Sequence, residues 1–206
     1  MGRHIGKAAE ELAEVMKIAY QRGLTTGGGG NASIRLERDL LAITPSGKFK
    51  GRLSMEDILL IDMNGEVIAG NGRPSSEWRM HVNIYKVRED VGAILHCHPS
   101  LVTGLATSGI NPPDPSDPTY SDIWTEESSI LLGKQIQVID RKPYGTEELA
   151  KAVAESLSNY DSNAVVIKSH GAVVVAKDIW LALSAMDSLV EIYTINFVRW
   201  LSERLA

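Results

Sequence analysis

Apolar and polar positions recur with two different periods along this chain, and the switches between them outline a fold. Leu12, Val15, Met16 and Ala19 fall at i, i+3, i+4 and i+7 within residues 6–22, the spacing of an amphipathic helix that Gly23 is placed to stop. After a glycine-rich stretch at 25–31, residues 32–36 and 40–44 read as paired strands turned by the charged segment 37–39. Residues 59–70 read as a hairpin, with Asn64-Gly65 as its type I′ turn signal. A helix opened by Pro74, Ser75 and Ser76 presents Trp78, His81, Val82 and Tyr85 on one face. Residues 92–98 form a short apolar strand ended by Pro99, 101–108 read as helical, and 110–124 as a polar, proline-rich loop. Strands are expected at 135–140, 164–168 and 172–176, and Thr146 caps a helix with Glu147 and Glu148 in its first turn. A long terminal helix over about 178–205 carries Trp180, Leu183, Leu189, Tyr193, Phe197 and Trp200.

Strands thus interleave with helices, yet several are joined by tight hairpins. A purely parallel sheet needs long crossovers throughout, so the expected architecture is α/β with a mixed, mostly antiparallel sheet covered by helices. No repeat, low-complexity tract or linker divides the 206 residues, and 1–206 is read as one domain. Hydrophobic residues at 44% and charged residues at 23% are ordinary for a soluble protein. The net charge of −5, with no clustered basic patch, argues against a nucleic-acid partner. No apolar run is read as approaching the roughly 18 residues that span a bilayer, and residues 1–17 are too charged for a signal peptide. A single cysteine, Cys97, excludes an internal disulfide and fits a reducing cytoplasm.

The five histidines, His4, His81, His96, His98 and His170, change the picture more. On a strand the side-chain period is two, so His96 and His98 share a face while Cys97 points away and packs as a small apolar residue. Two converging imidazoles are a bidentate metal site awaiting further ligands, and His170, between two strands, is a third candidate. Zn²⁺ suits such a donor set, with Fe²⁺, Co²⁺ and Mn²⁺ as other options; the plain alternative is a pair of strand histidines facing solvent or sharing hydrogen bonds. Ser75, Ser76 and Glu77 offer hydroxyls and amides at a helix start, an anion site with an adjacent carboxylate base; a simple N-cap is the alternative. Gly27–Gly30 followed by Asn31 permits close backbone approach to a ligand, although alone it is a flexible loop. Thr44-Pro45-Ser46-Gly47 turns back at a strand end with a free hydroxyl. No Lys or Arg is evident in this anion site.

Taken in order, Gly30-Asn31-Ala32-Ser33, Thr44-Pro45-Ser46-Gly47, Ser75-Ser76-Glu77-Trp78-Arg79, His96-x-His98 and His170-Gly171 resemble the class II aldolase/adducin head family, over the whole chain. The resemblance implies a three-layer αβα sandwich and a fourfold-symmetric homotetramer with active sites between subunits. Zn²⁺ would be held by His96, His98 and His170. Glu77 would serve as catalytic acid/base and as a ligand of the resting metal. Gly30, Asn31, Ser46, Gly47, Ser75 and Ser76 would hold the phosphate of a small sugar-phosphate substrate. The activity implied is cleavage of a ketose 1-phosphate to dihydroxyacetone phosphate and a short aldehyde, without a lysine Schiff base.

Family aldolases use two tyrosines to protonate and shape the aldehyde site. The tail carrying one has no counterpart here, and the segment 111–127 is longer and proline-rich. Tyr120 is the candidate for the other tyrosine, or an ordinary loop residue. His81, four residues after Glu77, is expected to support Glu77 or to pack rather than to bind metal. A decarboxylase, a sugar-phosphate 4-epimerase, a dehydratase and a non-catalytic adducin-like module are the alternative activities within the family.

Overall fold

The computed structural model describes residues 2–112, 124–159 and 161–205. The strands are β1 (Asn31–Glu37), β2 (Leu40–Ile43), β3 (Leu59–Asp62), β4 (Val67–Ala69), β5 (Ala93–Cys97), β6 (Gln137–Ile139), β7 (Ala164–Ile167) and β8 (Gly171–Ala176). The helices are α1 (Gly2–Gln21), α2 (Trp78–Val87), α3 (Ser100–Thr107), α4 (Glu126–Leu132), α5 (Glu147–Leu157) and α6 (Ile179–Leu205). Two short 3₁₀ turns, at Lys50–Arg52 and Met55–Asp57, connect β2 to β3. All eight strands join one sheet in the order β4-β3-β2-β1-β5-β8-β7-β6. Every neighbouring pair is antiparallel except β6 and β7, so the sheet is mixed in the sense the hairpins demanded.

The period of two divides the central strands between two cores. Ala93, Leu95 and Cys97 of β5 pack with Leu12 and Met16 of α1, Val102 of α3, and Met186 and Leu189 of α6. Ile94 turns the other way, to Met80 and Ile84 of α2 and Leu149 and Val153 of α5. Helices therefore cover both faces, giving three layers. Each fully buried Leu or Ile contributes roughly 1.5–3 kcal/mol, so both faces are closed by many comparable increments. Helix α1 stops as its sequence required: Gly23 turns left-handed at φ 71° and the Leu24 N–H reaches back to the Ala19 carbonyl at 2.9 Å.

Three local expectations change. The 62–66 hairpin is not type I′, because Asn64 keeps a negative φ and only Gly65 is left-handed, at φ 83°. Asp62 explains this: its carboxylate accepts the Asn64 and Glu66 N–H groups at 2.8 and 2.9 Å, and its carbonyl accepts Gly65 N–H at 3.1 Å, fixing a different turn. Helix α2 starts later than Ser75, at Trp78, with Glu77 at its N-cap. Helix α4 was not anticipated, although Thr125 caps it by accepting the Ser128 N–H, followed by Glu126 and Glu127, the same signature as at Thr146. Helix α6, of 27 residues, is long and apolar enough to cross a bilayer by length and composition. Its buried residues, among them Leu183, Met186 and Leu189, instead pack in the core against the sheet.

Candidate metal centre and active site

Antiparallel pairing brings the chemistry to one place, because it sets the end of one strand beside the start of the next. Asn31, the first residue of β1, pairs with His96 near the end of β5. Ala172, at the start of β8, pairs with Cys97. The β7–β8 turn places His170 at the same edge, with its N–H bonded to the Ile167 carbonyl at 3.1 Å and Ser169 left-handed at φ 56°. The chain entering α2 is tied to the chain leaving β2: Ser75 N–H donates to the Thr44 carbonyl and Ser46 N–H to the Arg73 carbonyl, at 3.1 and 2.9 Å. Glu77 thereby lands against the histidines. Gly171 is required by this crowding, since a Cβ there would sit 2.4 Å from the Cys97 carbonyl oxygen and 2.6 Å from His98 Cδ2.

One ligand atom from each of Glu77, His96, His98 and His170 falls within 4.8 Å of all the others. Glu77 Oε2 lies 3.1 Å from His96 Nε2, and Oε1 lies 3.3 Å from His170 Nε2. His98 Nε2 is 2.9 Å from His96 Nε2. His96 Nδ1 sits 2.9 Å from the Ala172 carbonyl oxygen, to which it donates, so its Nε2 is the atom presented to the cluster. Asn31 Nδ2 donates to Glu77 Oε2 at 2.9 Å. Cys97, wholly buried in the opposite core, faces away as its strand position required.

The donors fit a divalent cation. Glu77 Oε1 is a buried acceptor without a hydrogen-bond partner, and two imidazole nitrogens approach each other at hydrogen-bond distance. Burial, reinforced by charge on His96, lowers His98 to about 3, and burial with His96 lowers His170 to about 4, so both are neutral and ligand-competent at ordinary pH. Burial opposes charge on His96, but the Glu77 carboxylate overrides it and raises that pKa. Burial would likewise raise Glu77, yet His96, His170 and the Asn31 amide hold it well below the usual carboxylate range. Three imidazoles and one carboxylate are a donor set suited to Zn²⁺ and similar ions.

His81 stands outside the cluster, as expected. Its Nε2 lies 2.5 Å from Asn31 Oδ1 and its Nδ1 lies 2.7 Å from Ser33 Oγ, which in turn meets the Tyr85 hydroxyl at 2.9 Å. Since Asn31 gives its amide N–H to Glu77, its Oδ1 accepts from His81 Nε2–H, and Nδ1 accepts the serine proton. The chain of bonds orients the amide that steadies Glu77. Burial, with charge on His96, lowers His81 to about 3 from 6.5. A base with a depressed folded pKa stabilises the fold fully above its unfolded value and loses that stabilisation as pH falls from about 6.5 toward 3. At pH 5 this group alone is expected to remove about 2 kcal/mol. Urea unfolding of metal-stripped protein at pH 7 and pH 5 measures it, as the part of the pH effect that His81→Gln abolishes. His81→Ala is expected to bind as much metal as wild type.

Above the cluster opens a cavity of about 370 Å³ lined by Gly28, Gly29, Gly30, Asn31, Ser46, Gly47, Ser75, Ser76, Glu77, His98 and His170. The residues expected to bind phosphate thus all line this one cavity. Two details differ. The N–H groups of Ser46 and Ser75 are already taken by carbonyls, so these residues offer hydroxyls, and the serines precede α2 rather than opening it. The expectation of no basic residue also fails, because Lys50, Arg141 and Lys142 line the same cavity, along with Tyr144. The pair Arg141-Lys142 directly before Pro143 and the basic run Lys48 to Arg52 after the Ser46-Gly47 turn are present in the sequence, but nothing local ties either to the site. Tyr120 lies outside the described residues.

The profile of the class II aldolase and adducin N-terminal domain matches residues 10–197. An L-fuculose phosphate aldolase of Methanococcus maripaludis (strain C7) is 34% identical over 185 residues, 90% of this chain and 93% of that protein. A 3-oxo-tetronate 4-phosphate decarboxylase of Haemophilus influenzae is 33% identical over 186 residues, 89% of this chain and 82% of that protein. A solved structure of L-fuculose 1-phosphate aldolase, at 30% identity, superimposes with a TM-score of 0.79 over 97% of this chain and 88% of that one. The chain belongs to the class II aldolase and adducin N-terminal domain family. Within that family it is a class II, metal-dependent lyase.

Proposed function

We propose that the chain is a Zn²⁺-dependent aldolase that cleaves an L-fuculose 1-phosphate-like ketose 1-phosphate to dihydroxyacetone phosphate and a short aldehyde. The convergence of Glu77 with His96, His98 and His170 at the floor of a hydroxyl-lined cavity carries this reading. In this reading the three histidines hold the metal, and Glu77 is also its ligand in the resting enzyme. The bound ion supplies Lewis-acid polarisation of the ketose carbonyl and adjacent hydroxyl. Gly30, Asn31, Ser46, Gly47, Ser75 and Ser76 hold the phosphate, which fixes the carbon skeleton across the cavity. The C3–C4 bond breaks as the aldehyde carbonyl forms and the C4 hydroxyl proton passes to solvent; the electron pair left at C3 takes a proton from Glu77, which regains one from solvent, so no proton is gained or lost overall. In the condensation direction Glu77 removes that proton again. Tyr120 is the proposed donor toward the aldehyde oxygen. The chain acts as one domain, in the cytoplasm, as a homotetramer with active sites at subunit interfaces.

A panel of ketose 1-phosphates, coupled to detection of dihydroxyacetone phosphate, tests the assignment. Release that EDTA abolishes and Zn²⁺ restores is expected; release indifferent to chelation overturns it. One observation favours a second reading, decarboxylation of a 3-oxo acid phosphate: Arg141 and Lys142 line the cavity that His170 also enters, a position suited to a carboxylate. A 3-oxo acid phosphate that yields CO₂ when no ketose 1-phosphate is cleaved would establish it instead.

A further inference from the structure

Lys50 is a cation that the assignments above leave unused. It is 2% exposed and lines the cavity. An ammonium has three N–H donors. One goes to the Lys48 carbonyl at 3.0 Å, and among the described residues no carboxylate lies within ion-pair distance of the others. Lys48 differs, being exposed and paired with Asp57 at 3.0 Å. Burying a charge without a counter-ion is costly, and here burial lowers the Lys50 pKa without a carboxylate to oppose it. The placement is rigid. Lys50 N–H donates to the Gly27 carbonyl at 2.7 Å, fastening the residue beneath the glycine loop. The preceding Phe49 packs edge-on against Tyr20 of α1, with ring centroids 5.0 Å apart.

We propose that Lys50 is the charged member of the phosphate subsite, its ammonium taking an oxygen of the substrate's phosphate monoester. The proposal rests on the sugar-phosphate reading of the cavity and adds the residue that neutralises the dianion. A phosphate fits better than a carboxylate, because three acceptor oxygens can meet the ammonium and the hydroxyls of Ser46, Ser75 and Ser76 together. Those hydroxyls are neutral donors, so Lys50, as the buried cation of the cavity, favours phosphorylated over neutral sugars alongside Arg141 and Lys142.

Inorganic phosphate is the probe, titrated calorimetrically into the metal-loaded full chain. Lys50→Gln is expected to weaken phosphate binding roughly tenfold or more, with Lys50→Arg recovering most of it. Metal content should match wild type in both. With a ketose 1-phosphate as substrate, Lys50→Gln should raise KM far more than it lowers kcat. In wild-type protein carrying ¹³C-labelled lysine, phosphate should shift the Lys50 Cε resonance and leave that of Lys48 in place, a readout that needs no folded variant. Unchanged phosphate affinity in Lys50→Gln, no Lys50 shift, or a shift produced by malonate and not by phosphate would each overturn the proposal. Cleavage of ketose phosphates together with Lys50-independent phosphate binding removes this inference and leaves the aldolase. Lys50-dependent phosphate binding in a chain that cleaves none does the reverse.

Discussion

Glu77→Gln is expected to lower kcat for ketose phosphate cleavage by roughly 10²–10⁴-fold, the usual worth of a positioned acid/base group. The substitution keeps the size of the side chain and leaves an oxygen that accepts the Asn31 amide, which now meets Glu77 Oε2 at 2.9 Å. It removes the proton exchange and the negative charge. With that charge gone, the largest influence left on His96 is burial, which lowers its pKa against the Ala172 hydrogen bond and leaves its Nε2 more available to metal. Metal content should therefore stay near wild type while turnover collapses, and metal analysis beside steady-state kinetics separates the two. Activity within tenfold of wild type would show that another group moves the proton. Total loss of metal would mean that Glu77 is chiefly a ligand.

The metal cluster was legible to different depths in the sequence. His96 and His98 announce themselves because a strand has a period of two, and Cys97 was assigned to the opposite core by the same rule. His170 is 72 residues beyond His98 and joins them only because β8 pairs antiparallel with β5; its position in a short turn between two strands was the sole local clue. Glu77 was visible as a carboxylate after two serines, but the helix begins a residue later, since Ser75 and Ser46 are bonded into the β2 edge instead of the helix. Lys50 was not legible. A run of Lys48, Phe49, Lys50, Gly51 and Arg52 looks like a solvated turn, and only the 3₁₀ turn folding beneath the glycine loop buries one of its charges. Arg141 and Lys142 were hidden for a related reason: they follow β6, the strand paired parallel to β7, and their approach to His170 depends on that pairing. The sheet itself was easier, because hairpin lengths limit strand direction while burial alternation fixes each face.

His98→Ala is expected to weaken metal binding by more than the roughly 10–100-fold that follows loss of a ligand's hydrogen-bond partner, and to abolish activity at sub-saturating metal. His98 is a neutral donor at ordinary pH, with its pKa lowered to about 3 chiefly by burial, so it binds without first giving up a proton. Its removal leaves Glu77, His96 and His170 as the described donors of the cluster. Cys97→Ala is the matched control one residue away, since its buried thiol lies in the other core and cannot reach the ion. Thermal unfolding gives a readout that does not depend on catalysis. Ligand that binds only the native state raises stability by RT ln(1 + [L]/Kd), about 2.7 kcal/mol at a hundredfold excess over Kd. Zn²⁺ should thus raise the Tm of wild type and of Cys97→Ala alike, and that of His98→Ala far less. An equal rise in all three would place the metal elsewhere and remove the basis of the proposed chemistry.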